Sequence, residues 1–237
     1  MDFIDEKDEL ALEAETRLKA PLEWESTAKC KIIDLKESQS KLPQHHFFRE
    51  EPMCKASSLL EDSTSVDNYL ELIRTWMNDT TSIVALSIKS GRVIGVAVTR
   101  VNSKTEKTDT YQRVQQTNAH EKFKYSKYFC IYILCVHPSY QEKSVEVALL
   151  NACVHVALSL KMPAIGGIFT CGISQTRARS VGFQLLSEIR YSLWLVNEQV
   201  VFDDPGRGNY SAALMGKLLK EENLKHYKLS SVDTDTK

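Results

Sequence analysis

Residues Phe129 to Leu150, FCIYILCVHPSYQEKSVEVALL, read as an apolar strand, a His-Pro stop, a short polar turn and a helix that follows without a break. A turn that opens directly onto a helix N-terminus gathers unpaired backbone N–H groups and the positive end of the helix dipole at one point. That is the chemistry of a phosphate site. The turn itself, Gln141-Glu142-Lys143-Ser144-Val145-Glu146, has no glycine where a pyrophosphate would approach the backbone. Ser144 fits such a loop if its φ stays negative. Glu146, expected in the first helical turn, is stabilised by the same dipole that would bind pyrophosphate and so competes with the ligand; Glu142 adds to the repulsion and Lys143 offsets part of it. Each like charge within ~5 Å of a phosphate in partly exposed surroundings weakens binding by on the order of 1–3 kcal/mol.

Other chemically capable residues are scattered. Glu50 and Glu51 form an acidic pair which, read without context, faces solvent, and Thr170 and Ser174 are hydroxyls four residues apart, Ser174 being equally suited to cap a helix. His45, His46 and His137 lie beside Pro turns or helix ends, where histidines usually sit at the surface. Tyr111, Phe123, Tyr125 and Tyr128 suit either the wall of an amine pocket or an anchor for a long connection. Asp203 to Gly208 is a loop whose glycines serve a turn. Cys30, Cys54, Cys130, Cys135, Cys153 and Cys171 contain no C-x-x-C pair and fall mostly in apolar runs, so they read as small core residues; no metal site is expected.

The elements that must position these groups follow from periodicity. Lys29 to Leu35 reads as a short strand, and 36–48 as helical or irregular with a break at Pro43. Ser65 caps a helix through Met77, with Val66, Tyr69, Leu70, Ile73 and Trp76 at helical spacing. Strands 82–88 and 93–101 flank Lys89-Ser90-Gly91-Arg92, a hairpin turn. A polar connection over 102–127 leads to strand 128–136 and to a helix over 142–159 that is apolar on most of its circumference and belongs against a sheet. Strand 165–170, a short helix over 174–181, a strand or bent pair over 183–196 and a last strand over 210–219 complete the order. It specifies an α/β (α+β) fold: a mixed, mostly antiparallel central sheet with helices on both faces.

Composition narrows the class. The chain has 237 residues, 43% of them apolar and 26% charged, enough for one core: an acidic arm over 1–28, a domain over 29–219 and a polar tail over 220–237. The formal net charge of -1 lacks the basic footprint of a nucleic-acid binder. The N-terminus MDFIDEKDEL is acidic where a signal peptide is basic and then apolar, and no apolar run has the length of a membrane span. A cytoplasmic monomer with no nucleic-acid or membrane partner is expected.

With these elements in place, Gly91-Arg92-Val93-Ile94-Gly95-Val96-Ala97, Leu134-Cys135-Val136-His137-Pro138-Ser139-Tyr140 and Ser180-Val181-Gly182-Phe183 together resemble the Gcn5-related N-acetyltransferase (GNAT) superfamily. Phe47-Phe48-Arg49-Glu50-Glu51-Pro52-Met53 resembles the Phe-Phe-x-Asp/Glu-Glu-Pro-Leu motif of its insect-type arylalkylamine N-acetyltransferases. The resemblance implies acetyl transfer from acetyl-CoA, as co-substrate, to a small primary amine by direct attack. It implies Glu51 as general base in an apolar cleft between Phe48 and Met53, and backbone N–H groups of Leu134, Cys135 and Val136 at a bulged strand end for the developing oxyanion and the pantetheine arm. Thr170 and Ser174 then supply hydroxyls, and Gln141, Glu142, Lys143, Ser144, Val145 and Glu146 form the pyrophosphate loop. The acidic loop keeps a second reading open: a weak or silent protein of this fold that binds a small ligand or a partner.

Overall fold

The computed structural model describes residues 22–35, 47–104, 119–141 and 144–219. An eight-stranded sheet runs through them in the order β1-β2-β3-β4-β5-β6-β10-β7. Its strands are β1 (Glu23–Trp24), β2 (Cys30–Asp34), β3 (Ile83–Ser87), β4 (Val93–Ser103), β5 (Lys127–Val136), β6 (Ala164–Phe169), β7 (Gln184–Arg190) and β10 (Ser211–Leu218), while β8 (Leu195–Val196) and β9 (Gln199–Val200) form a small hairpin of their own. Helices among the described residues include α1 (Pro52–Ala56), α2 (Ser63–Met77), α3 (Val145–Ser159) and α4 (Gly172–Ser180). Every neighbouring pair in the large sheet is antiparallel except β5 and β6, which α3 joins as a parallel crossover.

The sheet is buried on both faces, and the apolar residues alternate accordingly. Ile83, Ala85 and Ala97 face α3, with Leu149, Ala152 and Val156. Val84, Val96, Val98 and Ile133 face the other way, against Ile73 and Trp76 of α2 and against Phe47 and Phe48. Helix α3 meets the expectation of an element apolar all round: its buried residues run from Val145 to Leu158 with few gaps. The β3–β4 turn uses Gly91 at φ +64°, the left-handed conformation expected of its glycine.

Several boundaries differ from expectation. The sheet begins before residue 29: Glu23 and Trp24 pair with Ile33 and Ile32, and the indole Nε1 of buried Trp24 donates to Asp34 Oδ1 at 2.8 Å. Helix α2 is capped by Asp62 rather than Ser65; Asp62 Oδ1 accepts from Thr64 N, and the Ser65 hydroxyl donates to Asp62 Oδ2. Helix α4 begins at Gly172 after Cys171, so Ser174 lies inside its first turn and is not its cap. Helix α3 begins at Val145, while Glu142 and Lys143 lie outside the described residues, as do His45, His46, Tyr111 and most of the expected 36–48 segment. No helix among the described residues is long and apolar enough to cross a membrane.

Candidate active site

The parallel pair sets the site. Strand β5 pairs with β6 only from Phe129 to Ile131, opposite Ile165 to Gly167; beyond that point β6 stays with β10 and β5 stays with β4. A split therefore opens between β5 and β6. Gly167 stands at its apex because an added Cβ would lie 2.6 Å from Ile131 O. His137 N–H donates to Ile94 O at 2.9 Å, toward β4. Strand alternation then turns the amides of Leu134 and Val136 the opposite way, into the split, and that of Cys135 toward β4. The bulge of β5 lies earlier than its 134–136 end: the register with β4 shifts between Val98 and Thr99, which pair with Ile133 and Ile131, leaving Tyr132 as the extra residue.

A cavity of about 1010 Å³ occupies this split, and Glu51, Leu134, Cys135, Val136, Gln141, Glu146, Thr170 and Ser174 all line it. Residues more than a hundred positions apart in sequence thus meet on one surface. Ser144 and Val145 form the start of α3 beside it.

Glu51 is the N-cap of α1, with Pro52 at the first helical position. Its Oε2 accepts from Cys54 N at 2.6 Å, whereas Oε1 is buried with no hydrogen-bond partner among the described residues. Phe48, three residues before it, is buried, and Met53 lines the cavity with it. Burial, and then the Glu51 carboxylate, push the Cys54 thiol far up. The same two causes in the same order raise Tyr191, which is 2% exposed and donates from Oη to Thr170 O at 2.7 Å. That bond ties the end of β6 to the floor of the site.

The loop before α3 departs from both of its expectations. Ser144 adopts φ 58° and ψ 14°, so the left-handed conformation that a glycine would favour is kept by a serine, contrary to the expectation of negative φ. A Cβ in that conformation costs about 1 kcal/mol without preventing it. Glu146 is 6% exposed and does not stand as a free carboxylate at the loop. Arg177 of α4 pairs with its Oε2 through Nη1 and donates from Nη2 to Gln141 O at 2.7 Å. The pair offsets part of the repulsion that Glu146 would exert on a phosphate at the loop.

Cys135 lies between Glu146 and Glu50 near the open strand end; burial first, then these two carboxylates, push its thiol up to about 12. Cys30, Cys54, Cys130 and Cys153 are buried, in line with their reading as core residues, and Cys54, Cys135 and Cys171 line the cavity. His137 caps a single 3-10 turn over Pro138–Tyr140, its Nδ1 accepting from Ser139 N at 3.2 Å. Phe123 and Tyr128 pack with Ala119 and Leu214 as an anchor, and Tyr125 is exposed, so none of these three aromatics lines the cavity, while Tyr111 lies outside the described residues. The aromatic lining is instead Phe47, Tyr69, Tyr132, Phe169, Trp194 and Phe202. Tyr132 was hidden in an apolar strand and Arg177 in a polar helix, and neither carried a spacing signal.

No protein-family model matches the sequence, and no curated protein does. Solved structures do. A putative arylalkylamine N-acetyltransferase 7 from the yellow fever mosquito Aedes aegypti aligns with a TM-score of 0.74 at 22% identity, over 85% of this chain and 97% of that one. Arylalkylamine N-acetyltransferase 2 from Aedes aegypti gives 0.69 at 20% identity, over 81% and 99%. The C-terminal condensation domain of Ebony, solved with beta-alanyl-dopamine, gives 0.63 at 10% identity, over 81% and 100%. These likenesses, together with the split sheet and its crossover helix, show that the chain has the GNAT fold and, within it, resembles the arylalkylamine N-acetyltransferases in architecture.

Proposed function

We propose that this protein transfers an acetyl group from acetyl-CoA to a small primary amine of the arylalkylamine class by direct attack, with Glu51 as the general base. The observation that carries the reading is the unpartnered Oε1 of Glu51, buried in the wall of the cavity into which the Leu134 and Val136 amides open. A carboxylate oxygen held there without a donor suits an incoming ammonium. The open edge of β5 suits an amide-bearing arm, and the start of α3 suits a phosphate, so the residues present fit acetyl-CoA. Bound acetyl-CoA would supply an acetyl thioester.

The chain's own groups then divide the work. Glu51 Oε1 takes the proton from the ammonium, freeing the nitrogen lone pair for the carbonyl carbon, and the carbon–sulfur bond breaks as the carbon–nitrogen bond forms. Backbone N–H groups of Leu134 and Val136 offer donors where negative charge gathers on oxygen. The hydroxyl of Ser174, with Thr170 as the nearby alternative, gives a proton to the departing sulfur and is restored by the second proton that the acylated nitrogen loses. The products are the N-acetylated amine and CoA thiol. The raised thiols of Cys54 and Cys135 hold little thiolate near neutral pH, which favours direct transfer over an acetyl-cysteine route through either of them. The aromatic lining favours an amine that carries a ring.

The test is calorimetric and kinetic. Acetyl-CoA should bind, and tryptamine- or dopamine-like amines should be acetylated; no detectable heat at millimolar acetyl-CoA would sink the reading and leave a silent ligand-binding protein of the same fold.

A further inference from the structure

Before α3 a serine, Ser144, holds the left-handed conformation that a glycine normally provides, and one side chain from α4 contacts residues on either side of it. The guanidinium of Arg177 donates through Nη2 to Gln141 O at 2.7 Å and pairs through Nη1 with Glu146. Between these two points lies Ser144, held at φ 58°. The Arg177 side chain is 17% exposed and that of Glu146 8% exposed, so the pair is little screened by water. Glu146 Oε1 is buried with no partner among the described residues, leaving Arg177 as its compensating charge there. Arg177 and Glu146 both line the cavity that contains Glu51.

We propose that Arg177 is the positioning residue of this loop: it clamps Gln141 to Glu146 and supplies, from α4, the positive charge through which a pyrophosphate is held at the start of α3. The inference rests on the acetyl-CoA reading above and deepens it. A carboxylate in the first turn would by itself cancel the half-charge of the helix N-terminus. Paired through Nη1 with a guanidinium it does so less, and a guanidinium carries five N–H donors, of which the contacts to Glu146 and Gln141 use two. The remaining donors suit phosphate oxygens. The acidic loop and Arg177 are therefore one device, with Glu146 serving to hold Arg177 in place.

The experiment compares acetyl-CoA with S-acetyl-pantetheine, which has the same thioester and arm but no pyrophosphate. Arg177→Gln should weaken acetyl-CoA binding by roughly 30-fold or more while changing S-acetyl-pantetheine binding by less than about threefold. Glu146→Gln keeps an oxygen for Arg177 and removes the opposing charge; it should tighten acetyl-CoA by roughly 3- to 10-fold and leave S-acetyl-pantetheine unchanged. Equal effects on both ligands, or an Arg177→Gln protein that binds acetyl-CoA as the wild type does, would overturn the proposal while leaving the acetyl-CoA reading intact. Should Arg177→Gln fail to fold, Glu146→Gln decides alone: selective tightening supports the proposal, and unchanged or weaker binding overturns it. Absence of acetyl-CoA binding in the wild type would instead remove the reading on which it rests.

Discussion

The starts of α1 and α3 place the same group in two chemically different situations. At each, a glutamate engages one carboxylate oxygen and keeps the other buried without a partner among the described residues. Glu51 spends its engaged oxygen on the neutral amide of Cys54, so its negative charge stays uncancelled on the cavity wall. Glu146 meets the guanidinium of Arg177, so the charge at the start of α3 is neutralised. A carboxylate at a helix start is therefore neither base nor obstacle by its position; its partner decides. On the proposed reading, the first of these carboxylates suits an ammonium and the second leaves room for a phosphate at the start of α3.

The largest expected effect breaks the first half of that contrast. Glu51→Gln retains an oxygen for Cys54 N but no base, and turnover with arylalkylamines should fall by about 100-fold or more while acetyl-CoA affinity stays within about twofold. Comparable loss of both in steady-state kinetics and calorimetry would make the carboxylate structural. Gly167→Ala tests the split that separates the two ends: with a Cβ 2.6 Å from Ile131 O, thermal melts should show a loss of about 1–3 kcal/mol, and acetyl-CoA binding should weaken with it. Wild-type stability would mean that the apex can relax.

Smaller changes sharpen the comparison. Glu51→Ala, unlike Glu51→Gln, should cost about 1 kcal/mol of stability in denaturant titrations, because only it removes the cap of α1. Tyr191→Phe deletes the bond to Thr170 O and should cost about 1 kcal/mol with a modest fall in turnover; an unchanged melt would show that the bond contributes nothing net. Ser144→Gly relieves the left-handed serine and should raise stability by about 0.5–1 kcal/mol, less whatever the freer unfolded chain takes back.

Much of the architecture was legible because each element carries its own period. The continuous apolar runs of β3 and β4 announced strands covered on both faces, and the all-round apolar helix after Ser144 announced a crossover buried against them. The Glu-Glu-Pro segment was legible as a motif, and the structure brings its Glu51 to the same cavity as Thr170 and Ser174. Caps were harder to read: Asp62 and Ser65 both offer an oxygen near the start of α2, and the backbone geometry at Asp62 selected it. Of the two roles open to the aromatics of the connection, Phe123 and Tyr128 take the anchoring one, and the aromatic wall among the described residues comes from other elements, through Tyr132, Trp194 and Phe202.

The sequence by itself determined what depends on neighbours along the chain: the strands, the buried helix, the hairpin turn at Gly91 and the presence of a carboxylate in the first turn of α3. Tertiary structure alone decided what depends on distant partners. The guanidinium that neutralises Glu146 comes from 31 residues away, on another helix. The split in which Glu51 meets the Leu134 and Val136 amides exists only because β6 leaves β5 after three paired residues. Electrostatic interactions fall off with distance in space and not with separation in sequence, so local pattern could place these charges on their elements but could not say which would cancel.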